Sequence, residues 1–88
     1  MQLLLTAQAR KDLHALSPDI ERRIVKKLRW YANQDNPLSF AKRLTNPAFG
    51  TYRFRVGDYR VIFDIVDNEV RVLLVLAVRN RKEAYDDL

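Results

Sequence analysis

At 88 residues, 48% hydrophobic and 31% charged, the chain reads as one small soluble domain over residues 1–88, with room for a single core. With no cysteine and one histidine, it has no disulfide framework, no thiolate nucleophile and no spacing that suits a metal, so neither metal nor cofactor is expected. An excess of 16 Lys and Arg over 11 Asp and Glu gives a net charge of +5, which favours a polyanionic partner, either nucleic acid or a strongly acidic protein segment.

Leu3-Leu4-Leu5 is a short apolar run that suits a first strand at an edge of a sheet. Met1-Gln2 ahead of it lacks the basic start and long apolar region of an export signal. Thr6 is placed to cap a helix from Ala7 to about Ala15, with Ala9, Leu13 and Leu16 at helical spacing and His14 beside the stripe on the surface. Ser17-Pro18 restarts the chain as a capping serine followed by a proline at the first helical position. Ile20, Ile24, Leu28 and Tyr31 then recur on one face of a second helix. Arg22, Arg23, Lys26, Lys27 and Arg29 fall largely off that stripe, as a solvated flank, and Trp30 lies beside it. Asn33–Asn36 and Pro37 end the helix, Leu38 to Leu44 suits one short helical turn with Lys42 and Arg43 exposed, and Asn46-Pro47 with Gly50 marks a loop.

From Thr51 onward, runs rich in β-branched and aromatic residues are split by Gly57-Asp58 and Asp67-Asn68, dipeptides suited to two-residue hairpin turns. The expected product is an antiparallel meander. Its turns place Val56 opposite Tyr59, Arg55 opposite Arg60, Asp64 opposite Arg71 and Arg60 opposite Val75. Period-2 alternation gathers Tyr52, Phe54, Val56, Tyr59, Val61, Phe63, Ile65, Val70, Val72, Leu74, Leu76 and Val78 on one apolar face. The helix pair covers that face, which leaves the other open. The architecture is α+β: two N-terminal antiparallel helices packed on one face of a small antiparallel β-sheet, in the order β-α-α-β-β-β, with residues 81–88 as a short C-terminal helix or tail. The longest apolar run, Val72 to Val78, is too short to span a bilayer, so a cytoplasmic protein without membrane contact is expected.

The open face carries the chemistry. Asp64 and Arg71 are expected to neutralise each other near the Asp67-Asn68 end. Arg53, Arg55, Arg60 and Arg79 crowd toward the other end with Arg81 just beyond, and Asp58 in the turn is the nearest carboxylate. Like charges set opposite one another destabilise a sheet, so a cluster of this kind is a candidate anion site. Tyr85 falls just past the strand end that carries Arg79 and is placed to fold back over the arginines.

The run Tyr52-Arg53-Phe54-Arg55-Val56-Gly57-Asp58-Tyr59-Arg60-Val61, the apolar strand after it and the closing Arg81-Lys82-Glu83-Ala84-Tyr85 resemble the RelE/ParE toxin superfamily of bacterial and archaeal toxin–antitoxin modules. The resemblance spans nearly the whole chain. For the RelE branch it implies a metal-independent, ribosome-dependent mRNA endonuclease in which a 2′-hydroxyl attacks the adjacent phosphate. Matching positions carry over as Arg53 and Arg55 on the second strand, Arg60 opening the third, Arg81 after the last strand, and Tyr85 near the terminus, all as catalytic residues. Arg53, Arg55, Arg60, Arg79, Arg81 and Lys82 form the RNA-binding set. Arg79-Asn80-Arg81 stands where such chains often carry Gly-His-Arg or Gly-Lys-Arg, and second-strand lysines of the family are arginines here. Arginine stays protonated and holds phosphate without acting as a base. Tyr85 is thereby left as the proton-transfer residue, its phenol drawn down from about 10 by neighbouring arginines. The implied partners are a cognate antitoxin in a toxin–antitoxin hetero-oligomer, with acidic residues set against Arg53, Arg55 or Arg60, and the ribosome with its message. The alternatives are a ParE-like DNA gyrase inhibitor and a non-catalytic RNA- or ribosome-binding toxin.

Overall fold

The computed structural model describes residues 1–45, 50–67 and 69–81. Strand β1 (Gln2–Leu5) leads into helix α1 (Ala7–His14), helix α2 (Pro18–Ala32), a 3₁₀ turn (Pro37–Phe40) and strands β2 (Lys42–Arg43), β3 (Tyr52–Val56), β4 (Tyr59–Asp67) and β5 (Arg71–Asn80). Thr6 caps α1 as expected: its Oγ1 accepts from the Ala9 amide at 3.1 Å. Ser17 holds the N-cap position of α2, but its hydroxyl makes no capping bond, and the carbonyl alone accepts the first helical bond, from Glu21 N at 3.0 Å. The Asp19 and Glu21 carboxylates sit at the positive end of the α2 dipole. Among the described residues no helix is long and apolar enough to cross a membrane.

The sheet order is β1-β5-β4-β3-β2. Every pairing among these strands is antiparallel except β1 with β5, which is parallel in the register Gln2↔Val72 to Leu5↔Val75. The Gly57-Asp58 turn sets Val56 against Tyr59 and Arg55 against Arg60, as expected. Only Gly57 takes a positive φ there (58°), the pattern of a hairpin with glycine at the first central position.

The register after β4 differs from the expected one. Asp67 remains in the strand and pairs with Arg71, so the connection is residues 68–70 rather than a two-residue turn at Asp67-Asn68. A bulge follows: Phe63 faces Val75 and Ile62 faces Ala77, with Leu76 left over between them. Arg60 consequently lies opposite Arg79, not Val75, and Asp64 lies opposite Leu74, not Arg71. The expected Asp64–Arg71 pair is absent: Asp64 Oδ1 accepts from the Thr51 amide at 2.7 Å, and Arg71 Nε lies 3.8 Å from Asp67 Oδ1. The core face of β5 likewise runs through Leu73, Val75 and Val78, whereas Val72, Leu74 and Leu76 are half-buried and Val70 is 58% exposed.

The remaining departures are local. Leu38 to Leu44 is not one helical turn. It divides into the 3₁₀ turn and the two-residue strand β2, which pairs Lys42 with Arg53 and Arg43 with Tyr52. The far face of the sheet is not wholly open either. Gly50, at φ 133°, lies so close over it that a Cβ there would come within 2.6 Å of Ile62 Cγ2 and 3.0 Å of Leu76 Cδ1. Ile62 and Ala77 are buried beneath this part of the chain.

The core lies between the helices and the sheet. Ala9 and Leu13 of α1, and Ile24, Leu28 and Tyr31 of α2, close over Phe54, Val56, Val61, Phe63, Leu73, Val75 and Val78. An aromatic stack runs through it: Tyr31 on Phe54 with centroids 3.9 Å apart, and Phe54 on Phe63 at 4.1 Å. Burial pushes the Tyr31 phenol above its ordinary pKa, because the phenolate is the form that desolvation disfavours.

Helix α1 also takes over from β1 along the edge of β5. Where β1 ends, Thr6 Oγ1 donates to the Leu76 carbonyl at 3.0 Å, and Asp12 Oδ2 accepts from the Val78 amide at 2.9 Å. The bulged end of β5 thus has its backbone groups satisfied by side chains instead of a neighbouring strand. Asp12→Ala would strand the Val78 amide and is expected to cost about 1–3 kcal/mol in a urea melt, with Asp12→Asn, which keeps an acceptor oxygen, retaining most of it. Equal losses in both variants would mean that the carboxylate, rather than the Val78 bond, is what matters.

Candidate phosphate-binding site

The half of the far face left uncovered by Gly50 holds the arginines. Residues paired directly across antiparallel strands share a face, so Arg55 of β3, Arg60 of β4 and Arg79 of β5 form one row across adjacent strands. Two inter-strand spacings put the row at about 10 Å from end to end. A second row, Lys42, Arg53 and Ile62, runs beside it. Arg53, Arg60 and Arg79 are half-buried and Arg55 is exposed. Phe54, Val61 and Val78, on the opposite face of the same strands, are anchored in the core, which holds the like-charged positions together against their repulsion.

Arg81 follows β5 and is exposed. Its amide donates to the Asp58 carbonyl at 2.7 Å, which ties the chain beyond β5 to the β3–β4 turn at the mouth of the row. The structure therefore gathers Arg53, Arg55, Arg60, Arg79 and Arg81, as the sequence suggested. Lys82 and Tyr85, the remaining candidates, and the expected terminal helix or tail lie outside the described residues.

Two cationic features escaped the sequence reading. Lys42 joins Arg53 only through β2, a strand too short for any alternation to reveal. On the other side, Arg55 borders a cleft with Arg23, Lys26 and Lys27 of α2, a pairing of distant segments that only the fold creates. The α2 cations had looked like a solvated flank, and Arg22 is one: it pairs with Asp19 on the surface. His14 is exposed, with its Nδ1 3.5 Å from Glu21 Oε1, and takes no part in the arginine rows. Among the described residues, no group of three or more His, Cys, Asp or Glu could hold a metal ion.

Chemically, a row of guanidiniums offers planar, permanently charged forks that match phosphate oxygens. It can bind a phosphodiester and stabilise charge that builds on its oxygens during displacement at phosphorus.

Comparison with known proteins places the sequence and the fold. The family model described as ParE toxin of type II toxin–antitoxin systems (parDE) matches residues 3–85. Toxin RelG of Mycobacterium tuberculosis is 35% identical over 83 residues, covering 91% of this chain and 90% of RelG. Among solved structures, the toxin–antitoxin complex RelBE2 of Mycobacterium tuberculosis matches with a TM-score of 0.76 and 31% identity, over 91% of this chain and 96% of that chain. An archaeal RelE–RelB complex from Pyrococcus horikoshii matches with a TM-score of 0.68 and 26% identity, over 91% and 93% of the respective chains.

Proposed function

The chain belongs to the ParE toxin family of type II toxin–antitoxin systems, and from that premise we propose that it is an endoribonuclease that cuts messenger RNA on the ribosome, acting in the cytoplasm as one toxin domain over residues 1–88. The observation that carries this reading is the Arg55–Arg60–Arg79 row on three adjacent strands, with Arg53 and Arg81 at its borders. The 2′-oxygen of one nucleotide attacks the adjacent phosphorus and the P–O5′ bond breaks. A 2′,3′-cyclic phosphate and a 5′-hydroxyl result. The 2′-hydroxyl loses its proton and the departing O5′ gains one. The arginines hold the phosphate and offset the charge that develops on its oxygens. Tyr85 is the proton-transfer residue in this scheme, and Lys82 adds to the RNA contacts.

The partner that controls the toxin is a cognate antitoxin, in a hetero-oligomer like the RelBE2 and RelE–RelB complexes that this fold matches. The basic rows call for an acidic antitoxin segment, and raised salt should weaken a complex held in this way.

A second reading, inhibition of DNA gyrase, is favoured by the ParE identity of the matching family model. A translation extract programmed with one defined message separates the two. New message ends that appear only with active ribosomes support cleavage. Stalled translation on an intact message supports a non-catalytic ribosome binder. Normal translation on an intact message, with loss of gyrase supercoiling in a parallel assay, supports the gyrase reading.

A further inference from the structure

We propose that the cleft between α2 and the β3–β4 turn is a second RNA subsite, which takes the phosphodiester backbone of a single strand leading away from the arginine row. The inference rests on the reading of that row as an RNA site and extends it to a surface on the helical side of the sheet.

The cleft has a volume of about 460 Å³ and is lined chiefly by Arg23, Lys26, Lys27, Trp30, Arg55 and Gly57. The α2 members recur at i, i+3, i+4 and i+7, so they form one helical face, rotated away from the stripe that buries Ile24, Leu28 and Tyr31. Among the described residues no carboxylate lines the cleft. Asp58, one residue further along the turn, lines a neighbouring hollow with Ile20 and Tyr59, which Arg23 borders from its other side. Among the described residues Arg23, Lys26 and Arg55 enter no ion pair.

Two details make this more than a charged flank. Trp30 is 43% exposed although it is the only tryptophan of the chain. It is held in place by an edge contact with Phe40, centroids 5.1 Å apart, and by the Lys27 ammonium 4.4 Å from its ring centroid. An anion that reaches Lys27 therefore comes up against the indole. On the far wall, Gly57 brings bare backbone toward the Arg23 guanidinium, since a Cβ there would lie 3.6 Å from Arg23 Nη2.

Cations that track a backbone beside an exposed aromatic surface are the combination that single-stranded nucleic acid uses. An acidic peptide would use the cations and leave the indole unexplained. Arg55 decides the direction: it lines this cleft and also sits directly opposite Arg60, so one strand can run from the arginine row into the cleft without leaving positive charge.

Trp30 is a built-in reporter, because all tryptophan fluorescence arises in the cleft. The full chain is titrated with a short 2′-O-methyl oligoribonucleotide, which binds as RNA but has no 2′-hydroxyl to attack. We expect saturable quenching, salt-dependent, with the slope of log K against log salt falling by about 1.4 in Arg23→Gln/Lys26→Gln, as for two lost single-strand phosphate contacts. Both substituted residues are exposed, and matching circular dichroism confirms the fold. Absent quenching, an unchanged slope, or quenching by polyglutamate but not by the oligonucleotide overturns the proposal, the last in favour of an acidic protein segment. Arg60→Ala is run alongside. Quenching that survives there and in a protein that cleaves no message leaves the cleft assigned while the nuclease reading falls.

Discussion

Arg60→Ala is expected to lower ribosome-dependent message cleavage by about 10²–10³-fold, the loss seen when one preorganised group that stabilises transition-state charge is removed. Arg60 is the member of the row with a basic residue directly opposite on either side, Arg55 on β3 and Arg79 on β4's other neighbour. It is also half-buried, so holding a phosphate would cost its side chain less freedom than it would cost an exposed arginine. Arg60→Lys keeps the charge but loses the two-pronged geometry, and should recover only part of the activity. Arg71→Ala is the control. It lies at the opposite end of β5, 3.8 Å from Asp67, and its removal should leave cleavage unchanged. Primer extension on a defined message reads all three. Wild-type cleavage by Arg60→Ala would remove the arginine row from the mechanism.

Phe54→Ala should cost about 3–5 kcal/mol, the range for deleting a buried aromatic ring. Phe54 is fully buried, with Tyr31 stacked on one face at 3.9 Å and Phe63 on the other at 4.1 Å. Its removal leaves a gap that two rings from different elements border and neither can fill. Against a typical total stability of about 5–15 kcal/mol, that cost is a large share of what holds the fold together. The urea midpoint should fall with little change in slope, as for a loss of stability alone. Val70→Ser, at a residue 58% exposed, should stay within about 0.5 kcal/mol of wild type. A Phe54→Ala variant that melts like Val70→Ser would mean that the stack does not hold the helices to the sheet.

What the sequence disclosed divides along physical lines. Thr6, Pro18 and the Ile24-Leu28-Tyr31 stripe act within a turn or two of helix, so local rules place both helices. Gly57 is a local signal too, and the Arg55–Arg60 pairing follows from it. The next register does not follow from local rules. Asp67-Asn68 has the composition of a two-residue turn, yet Asp67 stays in β4, and the alternation in β5 breaks at Leu76. Nothing in a run of valines and leucines marks which residue bulges; that is settled by the core, which takes Leu73 and Val75 below the bulge and Val78 above it. The bulge also explains why Arg79 was placed on the correct face from a register that was wrong. The expected register is three residues out before the bulge, which puts side chains on the wrong face, and the bulge adds a fourth, so beyond Leu76 the offset is even and the faces agree again. Arg71 and Leu74, which precede the bulge, had no such correction. The cleft beside α2 was invisible for a different reason: Arg23 and Arg55 lie far apart in the chain, and no spacing rule connects them.

The place of β5 in the sheet has a consequence for the order of events during synthesis. Among the described strands it is the last to be made, yet it sits between β1 and β4 and contributes Arg79 to the row. Its partner β1 emerges ahead of the other described strands and has no neighbour to join until residues 72–75 follow it out. α1 likewise waits for Val78, whose amide Asp12 caps. A nascent chain can form its helices and the β3–β4 hairpin while still attached, but neither the closed sheet nor the complete row of cations exists until β5 has cleared the ribosome.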